Sequence, residues 1–334
     1  MSSVFSPVSF VIVTYNQEKY IQAAFESALR QEVFPIEIVV TDDHSSDQTF
    51  EIVKQIAKDY RGPHKIILNR NPKNLGIVSQ INRAVSLSSG ELIVGMAGDD
   101  ISLPNRAARS YEEWCKSEKK AHSIFFNAAI IDSTGKKLGD QYIQDQQRIE
   151  GSDFQLTHNN GHKWRIQSYE KEDAIYNSWV LGATHAFSRE TFNVFGELSK
   201  VLLAEDHAIP YRASILGSIK FINEIQVLYR RHEKNLSSSD FTKKNRQMEH
   251  ANKILTSSQA LKDLEIAVKK NILKNSQIKK LKEKCLKNMM SGLRDVLKDR
   301  DELNWKVIYF CCLENLKNIF KPSALRLIIK KMQK

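Results

Sequence analysis

The chain has 334 residues, 50 Lys and Arg against 39 Asp and Glu, a formal net charge of +11 and 41% hydrophobic residues. This length accommodates one large domain or two smaller ones, and the hydrophobic content excludes a disordered chain. No run of about 18 apolar residues is present for a membrane span, and "MSSVFSPVSF" lacks the basic start and apolar stretch of a secretory signal. The four cysteines, Cys115, Cys285, Cys311 and Cys312, show no zinc-site spacing, and the expectation is reduced thiols in a cytoplasmic protein. The charge is segregated. Residues 1–240 carry 27 basic and 30 acidic side chains, net −3, whereas residues 241–334 carry 23 and 9, net +14. Two parts with different roles, 1–240 and 241–334, are therefore expected.

In chain order, "VSFVIVT" (8–14) reads as a buried strand. A helix follows, with Tyr20, Ile21, Ala24, Phe25, Ala28 and Leu29 at helical spacing and Asn16 as its expected cap. "IEIVVTDD" is a second strand, and the next helix starts near Ser45, Ser46 or Asp47. "HKIILNR" is a third strand, "NPKNLGIVSQINRAVSLSSG" a loop and helix, and "ELIVGMAG" a fourth strand. Strands without a polar face, alternating with helices, predict a mostly parallel α/β sheet covered on both sides.

Three polar clusters follow strand ends: Tyr15–Asn16, Asp42–Asp43 and Asp99–Asp100. Ligands of open α/β sheets bind at that edge. A lone Asp after a strand is most often a cap or turn former, and Asp47 is read that way. Two doubled acids are different, because like charges repel unless a cation or hydrogen-bond donors offset them. Neither glycine-rich phosphate cradle, GxGxxG or GxxxxGK[ST], is present. Carboxylates holding Mg²⁺ or Mn²⁺ would be another way to bind a diphosphate.

Beyond this, a helix around "LPNRAARSYEEWCKSEKKA" leads to a strand "SIFFNAAIID", which "STGK" turns back. Residues 139–178 read as an irregular or mixed segment covering a site. Order resumes with "WVLGATHAFSRETFNVFG", and "LLAEDHAIPYRASILG" reads as a helix with Glu205–Asp206 at its start. "IKFINEIQVLYRRHEKNLS" is a strand or two ending in a basic, histidine-bearing turn.

Five stretches, "VSFVIVTYNQEKYI", "IEIVVTDDHSSDQT", "NPKNLGIVSQINRAVSLSSGELIVGMAGDDISLP", "GATHAFSRETFNVFG" with "AEDHAIPYRASILG", and "YRRHEKNLS", carry a resemblance. In this order, within residues 8–238, the chain resembles family 2 glycosyltransferases of the bacterial cell-surface polysaccharide type. The resemblance implies a GT-A fold and an inverting enzyme using a nucleotide sugar. It also implies residue roles. Thr14, Tyr15, Asn16, Asp42 and Asp43 would hold or support the nucleotide. Asn74, Gly76 and Asn82 would line its crevice, and Glu205 would sit beside the donor. Asp99 would serve the ribose or metal, Asp100 and His232 the metal, and Asp206 would be the general base. Arg230 and Arg231 could add charge at the diphosphate. The sequence departs from the family's "DADD" pattern in having Ala97, as "AGDD".

The partners implied are a nucleotide-sugar donor, UDP-linked by resemblance, a glycan or lipid-linked acceptor, and Mg²⁺ or Mn²⁺. Competing readings are a nucleotidyltransferase or a non-catalytic nucleotide-sugar-binding protein. The tail reads as helical, either packed on the enzyme or lying on an anionic membrane surface. Trp305, Ile308, Tyr309, Phe310, Leu313, Leu316, Ile319 and Phe320 would form its apolar stripe. A peripheral location on the inner face of the cell membrane follows from the second reading. No nucleic-acid motif accompanies the basic charge, and no nucleic-acid partner is expected.

Overall fold

A computed structural model describes residues 6–139, 143–149, 153–158, 163–166, 180–233, 235 and 243–298. The chain divides into two compact units, Met1–Lys200 with Ala204–Ser238, and Val201–Leu203 with Ser239–Lys334.

The first unit opens with βα repeats: β1 (Val8–Thr14), α1 (Ile21–Leu29), β2 (Glu37–Asp42), α2 (Thr49–Asp59), β3 (Lys65–Arg70), α3 (Ile77–Leu87) and β4 (Leu92–Ala97). Then come β5 (Ile101–Ser102), α4 (Arg106–Lys116), β6 (Ala121–Ile131) and β7 (Lys137–Gly139). After the small strands β8 (Ile143–Ile149), β9 (Asp153–His158) and β10 (Lys163–Ile166) follow β11 (His185–Ser188), α5 (Glu190–Asn193), α6 (Ala208–Leu216) and β12 (Ser218–Arg230). The main sheet has the order β3-β2-β1-β4-β11-β6-β12-β5, with β7 added on β6. Strands β8, β9 and β10 form a separate antiparallel sheet. The segment expected to be irregular or mixed thus contains three strands; its remainder lies outside the described residues.

The sheet is less parallel than expected. β3, β2, β1 and β4 run parallel, as the alternation of buried runs and helices requires. β11 then pairs antiparallel with both β4 and β6, and β12 returns parallel to β6. The reversal arises because β11 enters from the long segment after β7 and not from a crossover helix. Two antiparallel steps leave β6 and β12 running in the direction of β4. The C-terminal ends of β1, β2, β4, β6 and β12 therefore share one edge, and so does the N-terminal end of β11.

Side chains alternate between two cores, as strand geometry demands. Phe10, Ile12, Ile124 and Phe126 pack with Ala24 and Phe25 of α1, Val53 of α2 and Trp114 of α4. On the opposite face, Phe125 joins Ala213 of α6, Val180 and Leu181. Burying each large apolar side chain stabilises the fold by roughly 1.5–3 kcal/mol. Asn16 does not cap α1: Tyr20 precedes that helix and no side chain caps it, while Asn16 has φ 51°.

At the opposite edge, Glu37 accepts hydrogen bonds from Ser9 Oγ, Ser89 N and Lys65. Burial raises its carboxyl, but the Ser89, Lys65 and Ser9 donors outweigh burial and hold it below the usual range. Gly90 closes this edge, its N–H donating to Ser9 Oγ at 2.8 Å.

The second unit contains α7 (Lys243–Lys269) and α8 (Asn275–Lys298). Lys282 lies 3.9 Å from Glu265, and His250 lies 3.8 Å from Asp295, so the two helices pack antiparallel. A Cβ on Gly292 would lie 2.9 Å from Ile254, so this glycine permits the close crossing. α8 buries Ile278, Leu281, Cys285 and Met289 on one face. It exposes Lys279, Lys280, Lys284, Lys287 and Arg294 on the other. The apolar stripe expected at Trp305–Phe320 lies outside the described residues.

A Cβ at position 90 would sit 2.5 Å from Ser9 N and 2.6 Å from the Val8 carbonyl carbon, both backbone atoms that cannot swing away. Gly90→Ala should therefore cost about 1–3 kcal/mol by forcing β1 and β4 apart. A urea-unfolding midpoint equal to that of the unsubstituted protein would show that the edge relaxes freely.

Candidate active site

The short strand β5 organises the site. Ile101 and Ser102 pair antiparallel with Leu228 and Val227, near the end of β12. This pairing sets the acidic turn Asp99–Asp100 against Arg230–His232. The register of β12 against β6 shifts between Ile222 and Val227, and such bulges re-aim a strand end.

The two adjacent acids have different surroundings. Asp100 is buried, and its Oδ1 accepts the backbone N–H of Arg230 at 2.9 Å. Burial holds its carboxyl well above the usual range; the Asp99 charge adds to this, while the Arg230 N–H and the charges of Arg106 and Arg230 oppose it. Asp99 instead meets His232, whose Nε2 lies 3.0 Å from Asp99 Oδ2. Sequence reasoning left open which acid is better placed for a cation. The geometry favours Asp99, the one with a second donor atom converging on it.

Arg230 has a different role from the expected one. It is 4% exposed. Its Nε donates to Asp99 O at 2.8 Å and its Nη1 to Asp132 O at 3.0 Å. The guanidinium thus ties the β4–β5 turn to the turn after β6. A buried guanidinium committed to backbone carbonyls does not face a diphosphate, which corrects the expectation for this residue.

Behind the turn, Arg106 is fully buried and donates to the carbonyls of Gly95 and His185. Burial draws its guanidinium below the usual range, and the Asp100 charge resists. Burial, with Arg106 adding, pushes the His185 imidazole down to about 3, leaving a neutral ring that shares a 2.7 Å hydrogen bond with Ser123.

The neighbouring loops are stitched to each other. Asn16 N donates to Ser45 Oγ and Asn16 Oδ1 accepts Ser46 N, joining the β1–α1 and β2–α2 loops. Asp42 is buried, accepts Ser45 N and Oγ, and pairs with Arg70. Asp43 accepts Asn71 Nδ2, Leu75 N and Gly76 N, so its carboxylate shapes the loop before α3. Gly76 adopts φ 84°, a conformation that favours glycine, and Asn74 beside it is exposed. Thr14 Oγ1 donates to Gln17 at the end of β1. Tyr15, which follows β1 at the shared edge, is 46% exposed. Asn82 departs from expectation: it is buried, and both its amide oxygen and nitrogen pair with the backbone of Leu198. Its observed role is to tie α3 to the segment after α5. Asp47, read as a turn former, accepts Thr49 N at the start of α2.

Glu205 and Asp206 precede α6 by one turn. Val180 N donates to Asp206 O at 3.3 Å, and a Cβ on Gly182 would lie 3.4 Å from Glu205 Oε1. A short 3₁₀ turn, Gly182–Thr184, leads into β11, so the acidic pair flanks the edge that carries Asp99. Burial lifts the Glu205 carboxyl to about 7, and the Asp206 charge adds to the shift.

A divalent cation can be tested against these side chains. Among the described residues no group of three or more His, Cys, Asp or Glu converges. Asp99 and His232 offer one carboxylate and one imidazole. That pair fits an ion that takes its remaining ligands from phosphate oxygens and water, and the mixed set suits Mn²⁺ better than Mg²⁺. Residues not anticipated include Arg106, Gly182 and Asn235. None carries a local signal, since each acquires its role through a partner distant in sequence or through a loop turn.

Comparison with known proteins places these features in a family. The model for "Glycosyl transferase family 2" matches residues 9–177. Chondroitin synthase of Escherichia coli is 27% identical over 219 residues, covering 65% of this chain and 28% of that protein. The chain spans less than half the length of the first curated relatives it matches. S. aureus TarS 1–349, solved in complex with UDP, superposes with a TM-score of 0.52 at 16% identity, covering 93% of this chain and 88% of that one. A mannosyltransferase from Pyrobaculum calidifontis, solved with GDP-Man and Mn²⁺, gives 0.51 at 14% identity, covering 99% and 85%.

The Glu205 environment has a pH consequence. A carboxyl raised from 4.5 to about 7 binds its proton more tightly in the folded state. It costs no stability below its unfolded pKa; the cost grows as pH rises through the folded pKa and is complete above it. Glu205→Gln, which cannot ionise, should therefore gain stability relative to the parent as pH rises from 4.5 to above about 7. Thermal melts across that range test this, and a pH-independent difference would refute the burial argument. With its GT-A fold, its acidic turn at the sheet edge and a family match over half its length, the chain belongs to glycosyl transferase family 2.

Proposed function

We propose that this protein transfers a sugar from a nucleotide-diphosphate donor, UDP-linked in the first instance, to a hydroxyl of a glycan or lipid-linked acceptor, with inversion at the anomeric carbon. The observation that carries this reading is the meeting of Asp99 with His232 at the edge that Asp206 flanks. Tyr15 offers a ring for stacking on the base, and Asn16, Asp42 and Asp43 stiffen the loops around it.

In-line displacement requires the acceptor hydroxyl to lose its proton as it attacks. Asp206 is the base assigned to that step, with Glu205 beside it. Asp99 and His232 would hold Mn²⁺ or Mg²⁺, which when bound supplies positive charge against the leaving diphosphate. Asp100 supports the turn through Arg230. Residues 1–240 form the catalytic domain in this reading, and residues 241–334 a basic helical region.

A panel of UDP-, GDP- and dTDP-sugars with Mn²⁺ tests the proposal. Transfer should occur from one donor class, with the product anomer opposite to that of the donor by NMR. Binding without turnover from any donor would favour a non-catalytic nucleotide-sugar-binding protein. Asp206→Asn should lose about a hundredfold or more in rate while retaining nucleotide affinity. Asp99→Ala should abolish the Mn²⁺ dependence of UDP binding in calorimetry, whereas Asp100→Asn, which keeps the Oδ1 acceptor, should preserve it. Transfer by Asp206→Asn within a few-fold of the parent would remove that residue from the mechanism.

Attachment to an anionic membrane surface is the second element of the proposal. No helix among the described residues is long and apolar enough to cross a membrane. The exposed face of α8 is basic, and each basic side chain near anionic lipid contributes roughly 1 kcal/mol. Liposome flotation should show binding to anionic but not neutral vesicles, weakened by salt and by deletion of residues 301–334. Equal, negligible flotation with both lipids would make this region a packing element.

A further inference from the structure

A further aromatic ring, that of Tyr20, touches both Arg230 and His232. Tyr20 lies in the β1–α1 loop, its N–H donating to Gln17 O at 2.9 Å, and Gln17 N is itself held by Thr49 Oγ1. The Tyr20 ring stacks on the His232 imidazole, with centroids 4.8 Å apart and planes inclined by 30°. The same ring lies 4.9 Å from the guanidinium carbon of Arg230. Arg230 and His232 are two positions apart, and the one ring contacts both.

The imidazole is held from more than one side. Asn235 fixes the backbone around it, accepting His232 N and donating to Arg230 O. Asp99 meets the Nε2 end of the ring. An aromatic ring packed on the face of the imidazole restricts its rotation about the Cβ–Cγ bond. Arg230 is immobilised by three backbone carbonyls, those of Asp99, Asp132 and Ser133, so it gives Tyr20 a rigid surface to rest on.

We propose that Tyr20 is a positioning residue for the cation site: its ring, resting on Arg230, holds the His232 imidazole in the plane that keeps Nε2 on Asp99. The same contact couples the β1–α1 loop, which carries Tyr15 and Asn16, to the end of β12. This inference rests on the reading of Asp99 and His232 as cation donors, and the experiment separates the two.

Mn²⁺ binding in the presence of UDP is measured by the electron paramagnetic resonance signal of free Mn²⁺ for the parent, His232→Asn, Tyr20→Phe and Tyr20→Leu. Melting temperature in EDTA and UDP affinity without metal are measured alongside. Removing a residue that orients a metal-binding histidine costs about ten- to a hundredfold in affinity. Tyr20→Leu should therefore weaken Mn²⁺ binding about tenfold, and Tyr20→Phe, which keeps the ring, should restore it to within about threefold. Metal-free melting and UDP affinity should stay near the parent values in both. If His232→Asn weakens Mn²⁺ binding but Tyr20→Leu does not, the positioning role is wrong and the donor reading stands. If His232→Asn binds Mn²⁺ like the parent, both are wrong. Equal loss in Tyr20→Phe and Tyr20→Leu would assign the effect to the hydroxyl and overturn the ring argument. A large drop in metal-free melting for Tyr20→Leu would make Tyr20 a general structural residue and overturn it as well.

Discussion

The site depends on the burial of Arg230. A guanidinium removed from water must find acceptors, because an unpaired buried charge costs several kcal/mol. Arg230 finds them in the carbonyls of Asp99, Asp132 and Ser133, which end two different strands. Its own N–H takes Asp100 Oδ1. Loosening any of these contacts leaves the guanidinium or a carbonyl without its partner. The acidic turn, the turn after β6 and the end of β12 are therefore locked as one assembly, with β5 providing the register.

Within that assembly the doubled acid has a physical explanation. Two carboxylates side by side repel, and the fold gives each a different environment. Asp100 turns inward to a backbone N–H with arginines behind it, where burial disfavours its charge. Asp99 turns to an imidazole. Glu205 is likewise raised by burial, with the charge of adjacent Asp206 adding to the shift. Asp99 and Asp100 look alike in sequence and are unlike in structure.

The two compact units differ in how they are stabilised. The first is built on alternating strand faces, with apolar helices filling both sides. In the second, α7 and α8 approach closely at Gly292, and α8 leaves its lysines outward. Charge segregation along the chain thus corresponds to a difference in architecture: the part with nearly balanced charge builds the α/β unit, and in the basic part the lysines of α8 line the outer face of a helix.

Much of the fold was legible from local pattern. Buried runs of β-branched residues alternating with helical spacing specify β1 to β4 and their parallel order, because strand and helix periodicities are properties of short windows. The same pattern places Tyr15, Asp43 and Asp99 at one edge, since each follows a strand that must run in the same direction. What tertiary structure alone decided depends on partners far apart in the chain. β11 runs antiparallel because of where the chain re-enters the sheet, which no window of residues encodes. Asn82 is used by Leu198, and Arg230 by Asp99 and Asp100, across separations of 116, 131 and 130 residues. Tyr20 reads as one more apolar position of a helix until the end of β12 is laid against it. A residue type sets which contacts a side chain can make; which of them form is decided by what the folded chain brings within about 3 to 5 Å, and that is not a local property.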